Sequence, residues 1–179
     1  MKAFKSIVTP RTKIRRLLPT DKENLATLLC DGQVTDNMAF TDEMKTVQGA
    51  ASLLEMTLKL YDSETPLLAY AIEDKNNTEF LGVTGLNPWE NGEVEIFYAF
   101  LPKNWGKGLA TEVMHGLTHF IFESEEASVV TALITQNNLA SIKVAEKNGF
   151  SSHGLIENPS YRDLVFLYKK EKAEHNNRL

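Results

Sequence analysis

The stretch Leu101-Pro102-Lys103-Asn104-Trp105-Gly106-Lys107-Gly108-Leu109-Ala110-Thr111 constrains this chain more than any other. Before it, Glu93 to Leu101 alternates strictly: Val94, Ile96, Tyr98 and Phe100 share one face, while Glu93, Glu95, Phe97 and Ala99 share the other. After it, Gly106–Glu123 places Leu109, Val113, Leu117, Phe120 and Ile121 at helical spacing. A strand must therefore become a helix across two glycines set at the helix entrance. Bare backbone there lets a ligand approach, and a helix start offers unpaired N–H groups and the positive end of its dipole. Those are the requirements for holding a phosphate or pyrophosphate, to which Lys107 adds a charge and the Thr111 hydroxyl a donor. Neither the Gly-x-x-x-x-Gly-Lys-Ser/Thr loop nor the Rossmann glycine pattern fits. The plain alternative is a helix N-terminus that merely packs tightly.

The rest of the chain supplies the frame. Ser6–Leu17 reads as an edge strand, because Pro10 is tolerated only near an edge or a bend. Thr20 or Asp21 is placed to cap a helix carrying Leu25, Leu28 and Leu29, and Val47–Tyr61 is a second helix. Between them, residues 31–45 read as a polar loop around Met38 and Phe40. Leu67–Glu73 and Glu79–Leu86 join Glu93–Leu101 in an antiparallel meander. Ser128–Ile134 is an unbroken apolar strand, as expected where both faces are covered. A short helix, Leu139–Asn148, has Asn138 as its cap and Gly149 just past its end. Phe150–Leu155 and Asp163–Lys169 close the pattern as strands. The expectation is one mixed α/β (α+β) domain over residues 1–179, with a polar tail at about 170–179.

Composition narrows the partners. With 19 Lys and Arg against 24 Asp and Glu, the formal net charge of −5 disfavours nucleic acid, which needs a basic surface. A single cysteine, Cys30, permits no internal disulfide and is expected as a small buried hydrophobe. No apolar run approaches the ~18 residues that cross a bilayer. The basic residues of 1–16 are not followed by an apolar signal core, so no membrane is expected and the cytoplasm is the expected location. His115 and His119 stand four apart on one helix, but no third ligand is evident and no metal is expected. Monomer and homodimer both stay open.

The glycine turn gains meaning beside Asn138-x-x-Ser141 and Glu146-Lys147-Asn148-Gly149-Phe150. Together these resemble the GNAT superfamily of acetyl-CoA-dependent N-acetyltransferases. Lys103-Asn104-Trp105-Gly106-Lys107-Gly108 looks like its Gln/Arg-x-x-Gly-x-Gly/Ala pyrophosphate loop, with Lys103 departing from the usual Gln or Arg. Thr9-Pro10-Arg11-Thr12-Lys13-Ile14-Arg15 and Glu95-Ile96-Phe97-Tyr98 are similar to the RimJ/RimL branch, which acetylates protein N-termini and other primary amines. The resemblance implies a mixed, mostly antiparallel central sheet with helices on both faces, splayed open for the arm of the cofactor. It implies that backbone groups near Phe100 and Leu101 bond the pantetheine and thioester. Main-chain groups of Lys103, Asn104, Trp105, Gly106, Lys107 and Gly108, running into Leu109, Ala110 and Thr111, would hold the pyrophosphate. Asn138 would touch the pantetheine side.

The implied chemistry is acetyl transfer from acetyl-CoA to a primary amine, a peptide α-amine or a small-molecule amine. At pH 7 an α-amine near pKa 8 needs only about 1 kcal/mol to lose its proton, against roughly 4.6 for a lysine near 10.4. Glu95 is the candidate base and Glu93 the reserve. Many relatives of this superfamily carry a tyrosine acid where this chain has Ala145, so Ser141 becomes the candidate donor to the departing thiolate. Phe40, Trp89 and Tyr161 are candidates for the acceptor pocket, although aromatic packing on loops serves as well. The rival reading is an acyl-CoA-binding sensor or partner protein without catalysis.

Overall fold

The computed structural model describes residues 1–89 and 91–173. The amino-terminal segment forms two strands rather than one, β1 (Ser6–Val8) and β2 (Thr12–Arg16), paired antiparallel with Ile7 opposite Ile14. Pro10 falls in the turn between them, where its missing N–H costs no ladder bond, and the Thr9 N–H closes the turn on the Thr12 carbonyl at 2.9 Å.

One 3-10 turn leads into α1 (Lys22–Leu29). Asp21 does not cap α1 with its side chain. Its buried carboxylate instead accepts Arg15 Nη1 and Nη2 at 2.7 and 3.0 Å, while Arg15 Nε reaches Glu73 at 2.5 Å. Cys30, at the end of α1, is exposed rather than buried, because Leu25, Leu28 and Leu29 take the inward stripe. The segment read as loop contains a short helix, α2 (Gly32–Thr35), whose cap Asp31 accepts the Gln33 N–H at 2.9 Å. Thr46 caps α3 (Val47–Leu60) through the Gly49 N–H at 2.9 Å.

The remaining elements follow the expected order: β3 (Ala69–Asp74), β4 (Phe80–Pro88), β5 (Glu93–Phe100), α4 (Leu109–Glu123), β6 (Val129–Thr135), α5 (Leu139–Lys147), β7 (Ser151–Ile156) and β8 (Val165–Glu171). β8 thus carries regular structure two residues past the expected Lys169, and residues 174–179 of the expected tail lie outside the described residues. One sheet holds all strands in the order β1-β2-β3-β4-β5-β6-β8-β7, antiparallel except between β5 and β6.

Strand alternation sends side chains into two cores. Tyr70, Ile72, Val94, Ile96 and Val130 pack under α4 and α5 with Val113, Leu117 and Ile121. Ala71, Phe80, Val83 and Ala99 pack under α1, α2 and α3 with Leu28, Val34 and Leu54. Each fully buried aliphatic side chain contributes roughly 1.5–3 kcal/mol of transfer free energy, so helices on both faces hold the sheet. The two halves of the sheet are joined weakly: β5 and β6 share only the register pairs Glu93–Val129, Val94–Val130 and Glu95–Thr131. Beyond them β5 stays with β4 up to Phe100, and β6 with β8 up to Thr135.

Candidate active site

The parting of β5 and β6 opens a cleft of about 530 Å³. Tyr98 and Phe100 of β5 form one wall, Ala132 and Ile134 of β6 another, and Ser141 and Val144 of α5 a third. α2 and the turn after it roof the cleft through Val34 and Met38, and Asn37 Oδ1 accepts the Thr135 hydroxyl at 2.6 Å across the open end of β6.

Main-chain direction follows from the register. The Leu101 N–H donates to Leu81 O at 3.0 Å, and Phe97 O accepts the Thr84 hydroxyl at 2.5 Å, so odd positions of β5 turn toward β4. The groups of Tyr98 and Phe100 turn the other way, where β6 has departed. Phe100 O is taken by Trp105 Nε1 at 2.8 Å. Of the backbone groups expected to bond a pantetheine arm, the Leu101 N–H is therefore engaged within the sheet, and the Tyr98 groups and the Phe100 N–H face the cleft.

The glycine turn stands at one end of this cleft. Helix α4 begins at Leu109, not Gly106, because Gly106 and Gly108 both take left-handed backbone at φ +73°. Residues with a Cβ adopt that conformation at a cost of ~1–2 kcal/mol. The turn leaves the N–H groups from Gly106 through Thr111 without an acceptor among the described residues. Leu109, Ala110 and Thr111 present theirs at the helix start, with the positive end of its dipole. This row of donors fits a diphosphate.

Side chains of the turn point elsewhere. Lys103 pairs with Glu79 at 2.6 Å, Lys107 Nζ donates to Asn104 Oδ1 at 3.2 Å, and buried Asn104 donates to Leu81 O at 3.3 Å. Trp105 is half exposed and ties the turn to β5 through its indole N–H. Two residues that the sequence reading left without a role, Arg11 and Glu112, brace the turn from behind. Arg11 Nη1 donates to Lys107 O at 2.8 Å and Arg11 Nε to Glu112 Oε2 at 2.6 Å. Glu112 Oε1 accepts the Thr9 hydroxyl at 2.5 Å and the N–H groups of Arg11 and Thr12 at 2.8 and 3.1 Å.

At the other end, Glu95 belongs to the last β5–β6 pair, opposite Thr131. Asn87 Nδ2 donates to Glu95 Oε2 at 3.3 Å, and the Trp89 side chain lies near enough to favour its charge as well. Burial pushes the Glu95 carboxyl up, and these two groups hold it back. Tyr161 lines the cleft within reach of the Glu95 charge; burial first, then that charge, pushes its phenol up to about 12. Phe40 meets Phe97, a cleft residue, edge to face at 6.2 Å. Trp89 and Tyr161 thus lie close to Glu95, whereas Phe40 meets Phe97 two positions further along the same face of β5. Glu93 is instead paired with Lys169 at 2.6 Å.

Asn138 caps α5 by accepting the Ser141 N–H at 3.1 Å, which places both at the cleft. The Tyr98 hydroxyl donates to Ser141 Oγ at 3.1 Å. Ala145 is fully buried against the core. His115 and His119 are exposed on α4, and no metal-holding cluster occurs among the described residues. No described helix is long and apolar enough to cross a membrane.

Known proteins resemble this chain in sequence and in fold. Residues 11–151 match the family of the acetyltransferase (GNAT) domain. The protein YkkB of Bacillus subtilis (strain 168) is 31% identical over 152 residues, covering 83% of this chain and 87% of its own. The N-acetyltransferase p20 of Bacillus licheniformis is 29% identical over 158 residues, 86% of each. The crystal structure of RimL, a ribosomal L7/L12 alpha-N-protein acetyltransferase in complex with coenzyme A, superposes with a TM-score of 0.75 at 16% identity, over 93% of this chain and 98% of that one. That last likeness is one of fold.

Proposed function

Since the chain belongs to the acetyltransferase (GNAT) family, we propose that its cleft brings acetyl-CoA together with a primary amine, the α-amine of a peptide or a small-molecule amine, for direct transfer in a ternary complex. The observation that carries this reading is the row of N–H groups from Gly106 through Thr111, unpaired among the described residues and opening onto a cleft between parted strands. Acetyl-CoA supplies an acetyl thioester; its diphosphate is assigned to that row. Phe100, Asn138 and the main chain of Tyr98 line the path for the arm. Lys103 and Lys107 contribute through backbone, their ammonium groups being engaged with Glu79 and Asn104.

In the transfer, a C–N bond forms between the amine nitrogen and the acetyl carbon, and the C–S bond breaks with its electron pair going to sulfur. Main-chain N–H groups of β5 at the cleft are the donors for the carbonyl oxygen. Glu95, its carboxyl shifted toward neutrality by burial, takes the amine's proton directly or through one water. Ser141 donates to the sulfur. Holding both partners in line supplies much of the acceleration. Trp89 and Tyr161 lie close to Glu95 and Phe40 meets Phe97 beside it, a set of side chains that an entering amine would meet. The RimL likeness supports a peptide α-amine as acceptor, and the low proton cost of such amines agrees with a single carboxylate as base. Dependence on acetyl-CoA supports a cytoplasmic location.

The test is calorimetric titration with coenzyme A, followed by thiol release from acetyl-CoA across a panel of acceptor peptides and small amines. Micromolar binding with turnover on a subset of amines is expected. Tight binding without turnover on any amine would favour a sensor, and no binding would remove the assignment.

A further inference from the structure

We propose that Tyr98 is the positioning residue that turns the Ser141 hydroxyl into a donor aimed at the leaving sulfur. The inference rests on the acetyltransferase reading above and concerns how that site completes its chemistry. A serine hydroxyl has one hydrogen and rotates freely, so its direction is set by its partners. Within a helix it ordinarily turns back to donate to a carbonyl of the preceding turn. Ser141 does not: among the described residues its Oγ has one partner, the Tyr98 O–H, which donates at 3.1 Å. With that lone pair occupied, the Ser141 hydrogen must point away from Tyr98.

Both partners are fixed. The Ser141 main chain is held by Asn138 Oδ1 at 3.1 Å in the first turn of α5, and the Tyr98 ring packs against Phe100 with centroids 6.1 Å apart. A phenol set in the wall of a cleft and bonded to nothing else calls for an explanation, since such groups carry a desolvation cost. The two hydroxyls join opposite walls, β5 and α5, across the gap where the thioester is assigned. As the C–S bond breaks, Ser141 stabilises the new charge on sulfur by hydrogen bond and keeps its own proton. The thiolate then gains a proton from solvent, and Glu95 returns the amine's proton to solvent, so the count closes.

The experiment is a double-mutant cycle of Tyr98→Phe, Ser141→Ala and the double variant, read in kcat with acetyl-CoA affinity measured separately by calorimetry. Each single change is expected to lower kcat about tenfold, the size of one neutral hydrogen bond. The double is expected to be no slower than Ser141→Ala, with affinity for acetyl-CoA within about twofold throughout. Losses that multiply, an unchanged kcat in Tyr98→Phe, or a fall in affinity parallel to kcat would overturn the proposal. Ser141→Ala read against its parent keeps the comparison meaningful should Tyr98→Phe fold poorly: full activity without the serine hydroxyl also overturns it. A wild type that binds no acetyl-CoA defeats the acetyltransferase reading and this inference with it. A wild type that turns over while the cycle is multiplicative defeats this inference alone.

Discussion

Replacing Glu112 with alanine tests whether the pyrophosphate turn is built from behind. The Glu112 side chain is 11% exposed and accepts from Thr9, Thr12 and both the main chain and side chain of Arg11. Burial alone would raise its carboxyl, but the Thr9 hydroxyl and the Arg11 contacts overcome this and hold it below the ordinary carboxylate range. The Arg11 side chain is half exposed, so its ion pair is screened and contributes only about 0.5 kcal/mol. The larger part comes from the buried Thr9 and Thr12, which lose a charged acceptor but keep each other through Thr9 Oγ1 to Thr12 O at 2.9 Å and the Thr12 N–H to Thr9 Oγ1 at 3.1 Å. Their joint loss is that of hydrogen bonds to a charge, about 1.5–3 kcal/mol. A total near 3 kcal/mol at ~2–4 °C per kcal/mol lowers Tm by about 6–12 °C.

The same change frees Arg11, whose guanidinium holds the Lys107 carbonyl, so affinity for coenzyme A should fall several-fold. The measurements are thermal unfolding and calorimetric titration on Glu112→Ala and Glu112→Gln. The pH dependence has a definite sign. A folded pKa below the unfolded one gives stability that is complete above the unfolded value and lost as pH falls through the folded one. The Tm gap between wild type and Glu112→Gln should therefore shrink in acid. A Tm change under 2 °C, or a gap that stays constant from neutral pH into acid, refutes the reasoning.

Two further substitutions have definite expected outcomes. Because burial raises the Glu95 carboxyl, the acid limb of kcat/KM should lie above the ordinary carboxylate range and vanish in Glu95→Gln, whose loss should be far greater for lysine-like amines than for α-amines; equal, negligible losses for both remove Glu95 from the mechanism. The same raised pKa means the charged carboxylate costs stability at neutral pH, so Glu95→Gln should melt no lower than wild type there. Gly108→Ala forces a Cβ into left-handed backbone at about 1–2 kcal/mol but meets only Arg11 Nη2, 3.6 Å away. It should lower Tm by a few degrees while weakening coenzyme A binding about tenfold or more; undiminished binding would mean that the turn does not hold the diphosphate.

The elements were legible where one period dominates. Val94, Ile96 and Phe100 are buried on one face of β5 as their alternation requires, and Val113, Leu117 and Ile121 form the buried stripe of α4. Reading failed where local chemistry admits two outcomes. Pro10 suits a bend or a turn, and only the pairing of Ile7 with Ile14 selects the turn. Asp21 is a good cap by type, yet Arg15, tied in turn to the distant Glu73, draws it into a buried network. Hydrophobic spacing carries the helix back to Gly106 because it is blind to the sign of φ, which is positive at Gly106 and Gly108.

At the site, the residues that define the opening were visible and those that aim it were not. A run such as Gly106-Lys107-Gly108 announces itself because one stretch of backbone makes the whole feature. Glu112 reaches Arg11 across 101 positions and Tyr98 reaches Ser141 across 43, and no local pattern encodes either pair. Both depend on the same step of topology. β5 and β6 run parallel, so they need a crossover, and α4 supplies it, starting at the turn that Arg11 and Glu112 brace. Each strand then keeps its own antiparallel neighbour, β4 or β8, over a longer register than the short ladder they share. Separation beyond Glu95 and Thr131 therefore loses few inter-strand bonds. It leaves the Tyr98 backbone turned to open space, with the Tyr98 phenol bridging to α5. The opening and the groups that aim it thus share one cause, a crossover connection that joins two antiparallel half-sheets at one end.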